Sequence, residues 1–146
     1  MPKRVMLTVD IIEEQPLPIA AVLVEQALQA AFTKLHPNTL SVATVELVIT
    51  NDERMQFLNK SYRNIDATTD VLSLPTAIDS EQGQVVPTNA EQLLLGSIII
   101  SLPQAERQVG RFGKTLEAEL LGLAEHGMSH LLGHDHDDEG NWLPQK

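Results

Sequence analysis

Runs of β-branched residues interleaved with helical periodicities predict an α/β (α+β) fold, one small mixed β-sheet packed with helices. Three observations carry this. The stretches Val5–Ile12, Ser41–Thr50, Val71–Leu74 and Leu93–Ser101 have the length and composition of strands. Two longer stretches, Ile19–Leu35 and Thr115–Leu132, repeat apolar residues every three to four positions. The resulting order, strand-helix-strand-helix-strand-strand-helix-helix, alternates the two kinds as a sheet covered by helices requires. At 146 residues the chain can build one normal core, and residues 1–146 read as a single domain.

Taken in order, Val5–Ile12 is the first strand. In Ile19–Leu35 the residues Ile19, Val22, Leu23, Gln26, Ala27 and Ala30 trace a 3.6-residue period. Ser41–Thr50 is the second strand, and Thr50-x-x-Glu53 resembles a capping box opening a short helix with Met55, Leu58 and Tyr62 inward. Pro75 ends the strand at Val71–Leu74, and residues 76–91, with Gly83 and Pro87, read as a surface loop. Leu93–Ser101 is apolar enough to be central in the sheet. An amphipathic helix begins near Pro103, with Arg107, Arg111 and Lys114 on one face and Leu102, Ala105, Val109 and Phe112 on the other. Thr115–Leu132 offers Leu116, Leu120, Leu123, Met128 and Leu131 to the core. Beyond it Pro144 opposes a further helix.

Composition narrows the function. The absence of cysteine removes disulfides and thiolate ligands and suits a reducing cytoplasm. Met-Pro-Lys-Arg runs straight into a strand containing Asp10, which is not the pattern of a secretory signal. No apolar stretch reaches membrane-spanning length. With 10 Lys and Arg against 20 Asp and Glu, the net charge of −10 argues against general nucleic-acid binding. Few aromatics argue against an extended base-stacking platform. Basic residues do gather locally: Arg54, Lys60 and Arg63 lie within ten positions, and Arg107, Arg111 and Lys114 form the second group. Each group is either a phosphate-binding patch or a solvated surface.

The chemistry concentrates at residues 126–136, His-Gly-Met-Ser-His-Leu-Leu-Gly-His-Asp-His, which hold four of the five histidines. His126 and His130 are four apart and stack on one helical face. Gly133 suits a left-handed turn that ends the helix and brings His136 to the same point. Three neutral imidazoles leave a fourth position open, the layout of a catalytic zinc site. His134, between Gly133 and Asp135 in the turn, reads as exposed. The spacing matches that of metzincin proteases, but those carry Glu after the first histidine as general base. Here that position is Gly127, a residue that costs a helix about 1 kcal/mol relative to Ala, so the space beside the metal is expected to be wanted. A peptidase is disfavoured.

His-Gly-x-x-His-Leu-x-Gly-x-Asp-His resembles instead the signature of the YbeY-type bacterial metallo-endoribonucleases. Leu58-Asn59-Lys60-Ser61-Tyr62-Arg63 is similar to that family's Leu-Asn-x-x-Tyr-Arg, and Thr69-Asp70-Val71-Leu72-Ser73-Leu74-Pro75 to its Thr-Asp-Val-Leu-Ser-Phe-Pro. Leu95-Gly96-Ser97-Ile98 falls where the family has Leu-Gly-Asp-Ile, so Ser97 stands for a carboxylate and Leu74 for Phe. The resemblance runs from about Val5 to His136. It implies the same α/β sandwich, with a cleft beside the metal helix and Arg63 as second functional residue. It further implies one zinc ion, or another divalent transition metal, on His126, His130 and His136. The activity it implies is single-strand-specific RNA cleavage in small-subunit ribosomal RNA 3′-end maturation and ribosome quality control. The partners would be ribosomal RNA, the small subunit and ribosomal or ribosome-associated proteins. Asp135 either hydrogen-bonds a ligand imidazole or faces water, and Asp70 either orients Arg63 or only opens its strand. Arg54, Lys60, Arg107, Arg111 and Lys114 are the candidate RNA contacts. Two other readings stay open: an assembly factor whose metal shapes a binding surface, and a metal-dependent hydrolase of another substrate.

Overall fold

Along the second strand Ala43, Val45, Leu47 and Ile49 alternate onto one face and are buried, while Val48 points the other way into a second, smaller cluster. That alternation fixes the layers. The structure, a computed structural model, describes residues 6–35, 42–75, 94–136 and 142–144, and of 134–136 and 142–144 the backbone alone. In chain order the elements are β1 (Met6–Glu13), α1 (Ala21–Leu35), β2 (Val42–Thr50), α2 (Asp52–Arg63), β3 (Val71–Pro75), β4 (Leu94–Ser101), α3 (Leu102–Arg107), α4 (Leu116–Leu131), β5 (His134–His136) and β6 (Trp142–Pro144). The loop expected at 76–91 and the strand starts expected at Val5, Ser41 and Leu93 lie outside the described residues.

The four-stranded sheet has the order β1-β2-β4-β3, with β1, β2 and β4 parallel and β3 antiparallel to β4. The mixed sheet, with β4 internal, agrees with the sequence reading. α1 and α4 cover one face over the main core, where Leu28, Phe32, Leu47, Ile98, Leu123 and Met128 are fully or almost fully buried. α2 covers part of the other face, with Met55 against Val48, Leu72 and Ile99. β5 and β6 pair antiparallel as a small separate ribbon after α4, so His134 and Asp135, expected in a turn, lie in a short strand that follows the turn at Gly133. No described helix is long and apolar enough to cross a membrane.

Four local expectations are corrected. α1 buries Val24, Leu28 and Phe32, one residue round from the expected stripe, and Val22 is 51 % exposed. A one-residue shift is about 100° of rotation. The helix is apolar around much of its circumference, and the bulk of Phe32 decides which side faces the sheet. α2 is capped by Asn51, whose Oδ1 accepts from the Arg54 amide at 2.8 Å, while Thr50 donates its hydroxyl to Glu14 Oε1 at 2.7 Å. Tyr62 is exposed, and the buried place near that end of α2 is taken by Asn59. Finally, the basic amphipathic helix does not extend past Arg107. Gly110 and Gly113 adopt φ of 124° and 148°, values that L side chains rarely accept, so Arg111 and Lys114 leave the helix and share no face with Arg107.

Candidate active site

α4 starts cleanly because Thr115 accepts the Ala118 amide on its hydroxyl and Glu117 and Glu119 occupy the first turn. It stops at Gly133, which takes φ 85° and donates its amide to His130 O at 3.1 Å. Within these limits His126 and His130 stack as the four-residue spacing requires. Their rings lie 4.6 Å apart at 65°, and the two Nε2 atoms come within 3.0 Å of each other. The backbone then turns into β5, which packs back against α4. His136 belongs to β5; its side chain and those of His134 and Asp135 lie outside the described residues.

Opposite the imidazoles runs β3. Ser73 donates its hydroxyl to Gly127 O at 3.1 Å, joining strand and helix directly. A Cβ on Gly127 would stand 2.6 Å from Ile98 Cγ2 and 3.2 Å from Ser73 Oγ. The glycine therefore serves close packing of α4 on the sheet, and not, as its position beside His126 had led us to expect, room next to a metal. Gly127→Ala is expected to cost a net of about 1–2 kcal/mol, overpacking outweighing the helix preference for Ala. A thermal melt no lower than wild type would show that Ile98 yields freely.

The third side of the site comes from the loop after α2. Asn64, at φ 59°, ends that helix. Asn59, buried beneath, donates its Nδ2 to Ala67 O at 2.9 Å. Asp52 gathers the hydroxyls of Thr68 and Ser101 and the guanidinium of Arg107, at 3.1, 2.8 and 2.7 Å. These bonds hold the 64–70 loop so that Arg63, Asp70, Ser73, His126 and His130 line one cleft of about 350 Å³. Residues 63 and 126, far apart in sequence, thus meet in space.

Asp70 does not orient Arg63 through any hydrogen bond in the structure. Its Oδ1 accepts the Val71 amide at 2.7 Å, and its Oδ2 accepts from Gln108 and Arg111 at 3.0 and 2.6 Å. Burial opposes its charge, but the bonds from Gln108, Arg111 and Val71 outweigh burial and hold its carboxyl below the ordinary 3.8. A lowered folded pKa means stability that is full above the unfolded value and is lost as pH falls through the folded one. Asp70→Asn is therefore expected to flatten the loss of urea stability below about pH 3.8; parallel acid curves for the two proteins would refute this.

The expected RNA contacts disperse. Arg107 is held by Asp52, and Arg111 by Asp70 and Glu119. Lys60 lies 3.9 Å from Asp66, Arg54 stacks 5.6 Å over the exposed Phe57 ring, and Lys114 is exposed. None of these five lines the cleft as Arg63 does. Ser97, in place of the carboxylate, hydrogen-bonds Glu46 Oε1 at 3.0 Å across the sheet. Two neighbours of the cleft were given no role in the sequence reading. Ser73 lay within the Thr69–Pro75 motif without a spacing signal of its own, whereas Glu119 stands seven and eleven residues before the paired histidines, a same-face interval that was there to be read.

The family described as Endoribonuclease YbeY matches residues 12–143. The chain belongs to that family. A Gloeobacter violaceus protein named Endoribonuclease YbeY is 46 % identical over 104 residues, which cover 70 % of this chain and 52 % of that one. One of the same name from Pelotomaculum thermopropionicum is 40 % identical over 124 residues, 81 % of this chain and 79 % of its own. The chain thus spans about half the length of the first YbeY relative and about four fifths of the second. A Thermotoga maritima protein known from its solution structure shares the fold, with a TM-score of 0.52 and 22 % identity over 93 % of this chain and 79 % of that one.

Proposed function

We propose that this YbeY-family protein is a metal-dependent endoribonuclease that cuts single-stranded RNA in the cytoplasm, acting in small-subunit ribosomal RNA 3′-end maturation and ribosome quality control. The observation that supports it most is one cleft holding two converging imidazole nitrogens and Arg63. The donor set fits a cation. Two nitrogens sharing a tetrahedral zinc at about 2.0–2.1 Å stand about 3.3 Å apart, and His126 and His130 Nε2 stand 3.0 Å apart. His136, from β5, is the third proposed ligand, with Asp135 beside it as the proposed hydrogen-bond partner of an imidazole. A divalent ion there would supply the positive charge that acidifies water and polarises a phosphoryl oxygen.

The chain's own residues do the rest. Arg63 presents a planar fork that binds a phosphate in two places. Asp70 remains ionised, but its oxygens are occupied by Gln108, Arg111 and the Val71 amide, so it braces the wall and takes no proton. On a chain of net charge −10 few cations reach phosphate, so binding is expected to be weak, salt-sensitive and better for a flexible strand than a duplex.

The test is elemental analysis of unchelated protein together with cleavage assays before and after chelation. One ion per chain and metal-dependent cutting of single-stranded RNA are expected, with casein untouched. Metal-dependent peptide cleavage would overturn the reading. In a variant without the three histidines, lost RNA processing with intact particle association would support the enzyme, whereas loss of both in a folded protein would favour the assembly-factor reading instead.

A further inference from the structure

Glu119 has no exposed surface and lies seven residues before His126, on the face of α4 that carries both imidazoles. Its Oε2 accepts from Arg111 Nη2 at 2.9 Å, and its Oε1 has no partner among the described residues. The same Arg111 nitrogen donates to Asp70 Oδ2 at 2.6 Å, on the opposite wall of the cleft. One guanidinium therefore touches both walls. Its own segment is fixed to α4 a second time. The Phe112 ring, with Arg111 stacked 4.9 Å over it, lies where a Cβ on Gly122 would overlap it. Gln108, from the same segment, adds a bond to Asp70 at 3.0 Å.

A role for Arg111 in holding phosphate does not fit this geometry. One positive charge between two carboxylates leaves a local net charge of −1 (+1 − 2), which repels a further anion. We infer that Arg111 is a positioning residue: it clamps α4 to the start of β3 and so sets the separation of the imidazole pair from the wall carrying Asp70 and Ser73. The Ser73–Gly127 bond holds the other end of the same seam. The inference rests on the nuclease reading for its catalytic consequence, though not for its structural one. The Arg111 charge is itself strengthened, because its bonds to Asp70 and Glu119 outweigh its partial burial.

Two variants separate positioning from simple neutralisation of Glu119. Arg111→Met is expected to lower the melting temperature, since it leaves a buried carboxylate without its counter-charge. Arg111→Met/Glu119→Gln removes that charge and is expected to recover most of the melting temperature. In the double variant kcat on single-stranded RNA is still expected to be about ten- to a hundred-fold down, the scale of an ångström-sized misplacement. KM and the salt dependence of binding are expected to stay as in wild type. Full recovery of kcat in the double variant would overturn the clamp. So would a raised KM with a salt slope reduced by about one, the mark of a lost phosphate contact. If wild-type protein cuts no RNA, the nuclease reading fails by itself, and hydrogen exchange then reads the seam directly. Faster exchange of the Val71–Ser73 amides in the double variant supports the clamp; unchanged exchange overturns it.

Discussion

His130→Ala is expected to abolish RNA cleavage, with a loss of about 10³-fold or more, and to leave purified protein with little bound metal. The reasoning starts from the two Nε2 atoms 3.0 Å apart on consecutive turns of α4. Removing His130 leaves two of the three proposed ligands, His126 and His136, whereas catalytic zinc sites are held by three protein ligands. The charge such an ion supplies is worth several kcal/mol at a phosphoryl centre, which converts to the stated loss. His130 is only partly buried, so the fold is expected to survive, and circular dichroism with a thermal melt would establish that. Wild-type metal content in this variant would sink the histidine site; wild-type cleavage would sink the metal's role in the reaction.

Arg63→Glu is expected to be nearly as damaging, about 10²–10³-fold in kcat/KM, the range seen when one positioned charge-stabilising donor is removed. The reversed charge would also repel the phosphate it replaces a contact to. Arg63→Lys, which keeps the charge and loses the planar fork, is expected to fall between, about ten-fold down. Arg63 is exposed and closes α2 at its last position, so stability is expected to change by no more than about 0.5 kcal/mol. Cleavage of a labelled single strand at fixed salt measures all three proteins. An Arg63→Glu enzyme as fast as wild type would remove Arg63 from the reaction.

The parts of this structure that could be read from the chain are those that local spacing encodes. α4, its Thr115 cap and its stop at Gly133 follow from signals within a few residues. So does the stacking of His126 on His130. The buried strand β4 announced itself by the apolar triplets Leu93–Leu95 and Ile98–Ile100. What depended on partners far along the chain stayed hidden. The rotation of α1 needed the sheet against which Phe32 packs, and the fate of Arg111 needed Asp70 and Glu119. Its neighbours at helical spacing gave it an apparent face that the two intervening glycines dissolve. Arg63 reached the cleft in our reading only through the resemblance of its Tyr-Arg context, because nothing in its own spacing relates position 63 to position 126. Gly127 was correctly marked as unusual, and its reason lay in Ile98 of another element.

The strand order β1-β2-β4-β3 also sets a timetable. β3 is made before β4, yet among the described strands β4 is its one hydrogen-bonded neighbour, so Val71–Pro75 must wait for that partner, about two dozen positions later. The histidines arrive later still, and Ser73 meets Gly127 across 54 residues of chain. Contacts so distant along the backbone form slowly and late. During synthesis from the N-terminus, the early strands and α1 can condense while the proposed site does not yet exist. On the proposed reading, a nascent chain would stay harmless to the RNA around it until His126, His130 and His136 have emerged.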